Sequence, residues 1–210
     1  MSLLVPYYEH PDHRPAEWDT LIAAAPLLYG VVLNPANGPG DAPDPAFASV
    51  AARLRAAGGA PSGGVRVLGY ADTDYGRRPH AQVVRDLLRH RDWYGTDGAF
   101  LDQAATGPGL LAHYGRLAVA ARAAGATTLV LNHGAPPHPS YTELADLLVT
   151  FEGPWDTYRA LAEDAPAGHH CHLVYAAPPD ARLTAPVRCA VPGDGAHPWG
   201  TLPHVLEHHG

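Results

Sequence analysis

The chain has 210 residues, 46% of them hydrophobic and 17% charged, with a formal net charge of -7. Its length suits one domain of about 200 residues, and 21 carboxylates against 14 basic groups leave no basic face for a nucleic acid. The basic residues are all arginine, which excludes a Walker-type phosphate loop and lysine Schiff-base chemistry, and none of the four serines sits in a G-x-S-x-G elbow.

In chain order, short apolar runs alternate with helical patterns. Strands are predicted at Leu3–Tyr8, Leu28–Leu33, Val65–Tyr70, Ala99–Asp102, Thr127–Leu131, Leu147–Phe151, Cys171–Tyr175 and, more weakly patterned, Val187–Val191. Helices are predicted at Pro15–Ala25, at Pro45–Ala57 with a stop at Gly58-Gly59, at Pro79–Arg91, and at Leu110–Ala124 before Gly125. Shorter helical stretches are expected at Tyr141–Leu147 and Trp155–Glu163. The first seven strand starts recur about every 20–37 residues, the rhythm of parallel β/α units. The fold class expected is α/β, a single small (β/α)8 TIM-like barrel spanning residues 1–210. Pro178, Pro179 and Pro186 make its last two units irregular. An open doubly wound sheet is the competing architecture, and it lacks its phosphate-binding glycine loop here.

In a parallel barrel the chemistry gathers at the C-terminal ends of the strands. Residues two apart share a side of a strand, and an unpaired carboxylate beneath a helix is costly. In GAFLDQ (98–103) this turns Asp102 into the mouth, with Gln103 following it. In LLVTFEG (147–153) it places Leu148, Thr150 and Glu152 inside and Leu147, Val149 and Phe151 outside. The other strand ends add Tyr7, Asn34, Tyr70, Asp72 and Asn132, and Trp199 in HPWGTLP lies where it can line the mouth. Carboxylates ringed by tyrosines and amides suit sugar chemistry: one carboxylic acid protonates the leaving oxygen, and a carboxylate activates water or attacks the anomeric carbon. Asp102 and Glu152 are the candidate catalytic pair. Tyr7, Asn34, Tyr70, Asp72, Gln103, Asn132 and Trp199 are the candidate substrate contacts. Four of these have a plainer alternative: Asp72, with its neighbour Asp74, as a cap or turn residue, Asn34 and Asn132 as Asx turns, and Gln103 as a loop residue.

The motifs VPYYEHP (5–11), VVLNPANGPG (31–40), VLGYADTDYGRR (67–78), GAFLDQA (98–104), LNHG (131–134), TFEG (150–153) and HPWGTLP (197–203) stand in an order that resembles the spherulation-specific family 4, or spherulin-4-like, proteins. The resemblance implies a (β/α)8 barrel and a glycoside hydrolase of galactosamine-containing polysaccharides. It also implies acidic residues at the ends of strands four and six, the positions of Asp102 and Glu152. Two positions depart from the family pattern: Asp102-Gln103 stands where Asp-Glu is common, and Asn132-His133-Gly134 where Asn-Pro-Gly is. The first departure motivates a rival expectation, a carbohydrate-binding pseudo-enzyme on the same barrel.

A weaker rival is a metal-dependent hydrolase or deacetylase. Fourteen histidines include His169-His170-Cys171-His172, His133, His138 and His208-His209. Neighbouring strand residues point opposite ways, and no H-E-x-x-H or paired C-x-x-C spacing occurs, so no metal or other cofactor is expected. Cys171 and Cys189 suit free thiols or one bridge equally. No apolar run reaches 18 residues, so no membrane span is expected. Action outside the cell follows from the resemblance, though no basic-then-apolar leader is visible. The expected partner is an oligo- or polysaccharide, and the expected state a monomer.

Overall fold

The computed structural model describes residues 2–57, 65–161 and 168–206. The helix stop at Gly58-Gly59, the end of the Trp155–Glu163 stretch and the His208-His209 pair lie outside the described residues. Eight parallel strands close into a barrel in sequence order: β1 Ser2–Pro6, β2 Leu28–Leu33, β3 Arg66–Asp72, β4 Gly98–Asp102, β5 Thr128–Asn132, β6 Leu147–Pro154, β7 His170–Tyr175 and β8 Val187–Ala190. The barrel closes between β1 and β8, with Ser2 opposite Val187 and Leu3 opposite Arg188.

Four helices cover the first half: α1 Pro15–Ala23, α2 Pro45–Ala57, α3 His80–Tyr94 and α4 Leu111–Ala123. In α2, Phe47, Val50, Ala51 and Leu54 are the buried residues, one stripe at helical spacing. The α3 helix ends where Gly95 takes a left-handed conformation (φ 61°), its N–H reaching the last-turn carbonyls. The second half is thinner. Tyr141–Leu147 is not an α-helix but a short 3-10 segment at Pro139–Glu143, and α5 spans only Trp155–Tyr158. No helix is described between β7 and β8, as the prolines there foretold. Among the described residues, no helix is long and apolar enough to cross a membrane.

Pairing fixes which side chains enter the barrel. Tyr70 faces Phe100 across β3 and β4 (ring centroids 6.3 Å apart), and Asp72 is paired with Asp102. Working back through the register, Leu68 pairs with Val32, and Val32 with Pro6. The inward set of β1 is therefore Leu4, Pro6 and the next even position, Tyr8. Tyr7 faces the helix layer, fully buried and edge-on to Trp18 of α1 at 5.3 Å.

On β6 the expected alternation fails and then recovers. Leu147 pairs with Val130 and Val149 with Asn132, so these two face inward, while Leu148 pairs with Leu131 and packs among the outward residues of β4, β5 and α4. The register against β7 then slips: Val149 pairs with Cys171, but His172 pairs with Phe151. Thr150 is the surplus residue of a bulge, and its hydroxyl meets His170 on the outer side at 3.3 Å. Leu148 and Thr150 are thus corrected to outward, and Leu147 and Val149 to inward. Phe151 outward and Glu152 inward stand as expected.

Gly69 makes a close approach possible. It lies on the outer side of β3 beneath His90, whose ring is fully buried and bonded to the Tyr70 carbonyl at 2.8 Å. A Cβ at position 69 would sit 2.6 Å from His90 Cβ and Cγ. Gly69→Ala should therefore lower stability by about 1–3 kcal/mol, read as a fall in denaturation midpoint. Burial also holds His90 neutral, its pKa pushed down to about 4. The unfolded chain binds that proton near pH 6.5. This contribution is complete above pH 6.5 and is lost as pH falls towards 4. A thermal melt series should show Tm declining across that window, and less steeply in His90→Gln.

Candidate functional site

The site is built on the C-terminal ends of β3 to β7. Asp102 ends β4, Asn132 ends β5 and Glu152 stands just beyond the bulge of β6. They border a cavity of about 310 Å³ together with Tyr75, Gln103, His133, Gly134 and Tyr175.

One amide joins the two carboxylates. The Nδ2 group of Asn132 donates to Asp102 Oδ1 at 2.6 Å and also to Glu152 Oε2. Its own Oδ1 accepts from the Gly134 N–H at 3.1 Å, which fixes the amide's orientation. Two hydrogen bonds from a single nitrogen hold the nearest carboxylate oxygens within about 6 Å of each other. The outer oxygens are also held. Tyr70 Oη donates to Asp102 Oδ2 at 2.7 Å, and Trp199 Nε1 to Glu152 Oε1 at 3.3 Å. Trp199 stands edge-on to Tyr175, 6.1 Å away.

Desolvation disfavours two negative charges so close together. Burial, then the charge of Asp102, pushes Glu152 up to about 7 against the bonds from Asn132 and Trp199. Asp102 is also raised by burial, but the bonds from Tyr70, the Gln103 backbone and Asn132 oppose the rise. Tyr70 and Tyr8 stay protonated far above the usual phenol range because burial and the Asp102 charge both resist a phenolate.

Of the residues singled out in the sequence, Asp102, Glu152, Gln103, Asn132, Tyr70 and Trp199 are brought together. Asp72 adjoins Asp102, though its Oδ1 accepts from the Asp74 N–H at 2.7 Å, the turn alternative. Asn34 likewise closes its loop, accepting from the Gly38 N–H at 2.7 Å. Tyr7 does not reach the site. Its place is taken by Tyr8, whose ring meets Tyr70 edge-on at 5.9 Å. Positions 7 and 8 are both tyrosine, so local pattern cannot tell them apart. Tyr175 was within reach of the same reasoning, since it continues the inward side of Leu173. His133, which the sequence marks only as a departure from the family's strand-five turn and as one histidine of the metal rival, also borders the cavity. Its Nδ1 bonds the Ala105 carbonyl at 2.9 Å, and burial pushes its pKa down to about 4.

The histidine-rich run is dispersed. His170 meets Thr150, His172 meets Tyr158 at 2.9 Å, and His169 meets the Asp146 carbonyl, all away from the carboxylates. Among the described residues no group of three or more His, Cys, Asp or Glu could hold a metal ion. Cys171 and Cys189 are buried free thiols.

The family model for spherulation-specific family 4 matches residues 2–192. The chain belongs to that family. Among solved structures, the Aspergillus clavatus Sph3 in complex with GalNAc superposes with a TM-score of 0.81 at 22% identity, covering 99% of this chain and 95% of that one. The likeness shows a shared fold. Weaker matches are the Bacillus cereus spore cortex-lytic enzyme SleL (TM-score 0.49, 9% identity, 71% and 41% covered) and a mutant tryptophan synthase α-subunit from Pyrococcus furiosus (0.48, 15%, 90% and 86%). A search of curated proteins finds no match.

Glu152 offers a test of the site's electrostatics that needs no substrate. Its folded pKa near 7 lies above its ordinary 4.5, so its contribution to stability is complete below pH 4.5 and is lost as pH rises through 7. The uncharged Glu152→Gln should melt above the parent at pH 8, and the gap should shrink or vanish at pH 5.

Proposed function

We propose that this family member is a glycoside hydrolase acting on an amino-sugar-containing, galactosamine-type polysaccharide, with Asp102 and Glu152 as its two carboxylates. The observation that carries the reading is the amide of Asn132 donating to both. Carboxyl groups about 5–5.5 Å apart serve retaining glycosidases, and those 6.5–9.5 Å apart leave room for the water of an inverting one. A gap bridged by one nitrogen belongs to the first class. The GalNAc held by Sph3 is the basis for the amino-sugar assignment.

Glu152 is the proton donor in this scheme, because a carboxyl with a pKa near 7 still carries its proton in neutral solution. It protonates the glycosidic oxygen as the bond to the anomeric carbon breaks, and the leaving sugar departs as an alcohol. Asp102, steadied as an anion by Tyr70 and Asn132, attacks that carbon and forms a glycosyl ester. Glu152, now a carboxylate, takes a proton from water. The hydroxide adds to the anomeric carbon, and Asp102 leaves as a carboxylate. Gln103 has no proton to give and none is asked of it.

The rival, a carbohydrate-binding pseudo-enzyme, draws on the same Gln103, which borders the cavity where the family commonly has a second acid. Reducing-end release from galactosamine-type polysaccharide separates the two. Hydrolysis by the parent supports the enzyme. Binding without hydrolysis supports the rival, and recovery of hydrolysis in Gln103→Glu would then identify the missing acid. For the enzyme, Asp102→Asn and Glu152→Gln should each cut turnover by about 10²-fold or more with the fold intact. The alkaline limb of kcat/KM should fall near pH 7 as Glu152 loses its proton. Full activity in both variants would defeat the assignment.

A further inference from the structure

The loop after β3 carries a feature that the two-carboxylate scheme does not use. Tyr75 is 48% exposed, yet it borders the same cavity as Asp102, Asn132 and Glu152. Its backbone is left-handed, with φ 53° and ψ 35°, between Asp74 at φ 45° and Gly76 at φ 82°. A bulky residue with positive φ is a true outlier, and glycine or asparagine would fill the position with less strain. The conformation is nonetheless locked. The Tyr75 N–H bonds the carbonyl of Gln103, itself left-handed at φ 50°, at 2.8 Å, and the Thr73 hydroxyl holds that same carbonyl at 2.9 Å. Arg77, paired with Asp74, lies with its guanidinium 5.6 Å from the ring centroid. A strained and cross-braced backbone thus presents an exposed phenol ring at the rim of the site, and such strain gathers where function requires it.

The cavity's size limits what it can enclose. At about 310 Å³ it lies at the small end of ligand pockets, room for about one sugar ring. The remaining units of a polysaccharide must cross the rim. A pyranose has an apolar face of C–H groups, and a fixed aromatic ring matches it at little entropic cost.

We infer that Tyr75 is a sugar-stacking platform for the unit adjoining the one held between Asp102 and Glu152, so that the protein selects chains over single sugars. This deepens the carbohydrate reading above and rests on it. Tyr75 is a specificity residue: it binds substrate and takes no part in proton transfer.

The test uses Glu152→Gln protein, so that bound chains are not cut, with GalNAc and a GalNAc oligosaccharide as calorimetric ligands. Adding Tyr75→Gly should weaken the oligosaccharide about three- to tenfold, the worth of an aromatic contact, and leave GalNAc unchanged. Tm should hold or rise, because glycine relieves the left-handed strain. Tyr75→Phe should bind both ligands like the unmodified tyrosine. Equal affinity for the oligosaccharide with and without the ring would overturn the inference, as would a fall in Tm with both ligands weakened alike, the mark of a purely structural role. A loss in Tyr75→Phe as large as in Tyr75→Gly would assign the contact to the hydroxyl and overturn stacking. If protein with Tyr75 intact binds neither ligand, the carbohydrate reading fails and takes this one with it.

Discussion

Two carboxylates lie on either side of a single amide nitrogen, and the surrounding structure is arranged so that this can persist. Left alone, a pair of buried anions at this spacing would repel each other and draw in water. Asn132 places a donor on each inner oxygen, Tyr70 and Trp199 place donors on the outer ones, and the remaining cost appears as a proton retained on Glu152. The amide cannot turn, because its oxygen is engaged by Gly134. Strand five thus does more than separate strands four and six: its last residue sets their electrostatic relationship.

The same constraint explains why polar groups outside the barrel matter. The carbonyl of Tyr70 is held from behind by His90, which rests in the space left by Gly69. Behind Asn132, His133 is pinned to Ala105 and packs against Tyr141, ring centroids 4.6 Å apart. The donors facing the cavity are therefore backed by buried, neutral imidazoles on the helix side. Flexible side chains at those positions would let the donors wander by more than a hydrogen bond tolerates.

All eight strands were legible in the sequence, because buried parallel strands read as short apolar runs with turn residues at their ends. So were both carboxylates, since a charge at a strand's end has few places to go except the mouth. What escaped was phase. On β1 two tyrosines in succession hid the choice between faces, and only pairing through Val32 and Leu68 resolves it in favour of Tyr8. On β6 counting backwards from Glu152 assigned Leu148 and Thr150 to the wrong side, because a bulge is a property of two strands in register and leaves no mark in one of them. Composition predicts a helix at Tyr141–Leu147, where the structure has a 3-10 segment at Pro139–Glu143, because too few residues separate Tyr141 from β6 for a full helix to form.

The surplus residue in β6 divides that strand into two stretches of independent parity. Below Thr150, the residues answer to the barrel core. Above it, they answer to the cavity. A strand of strict alternation would tie the placement of Glu152 to every residue beneath it, and any shift in core register would carry the carboxylate to the wrong face. The extra residue acts as a phase shifter, letting odd positions fill the packed floor and an even one, Glu152, reach the reactive rim.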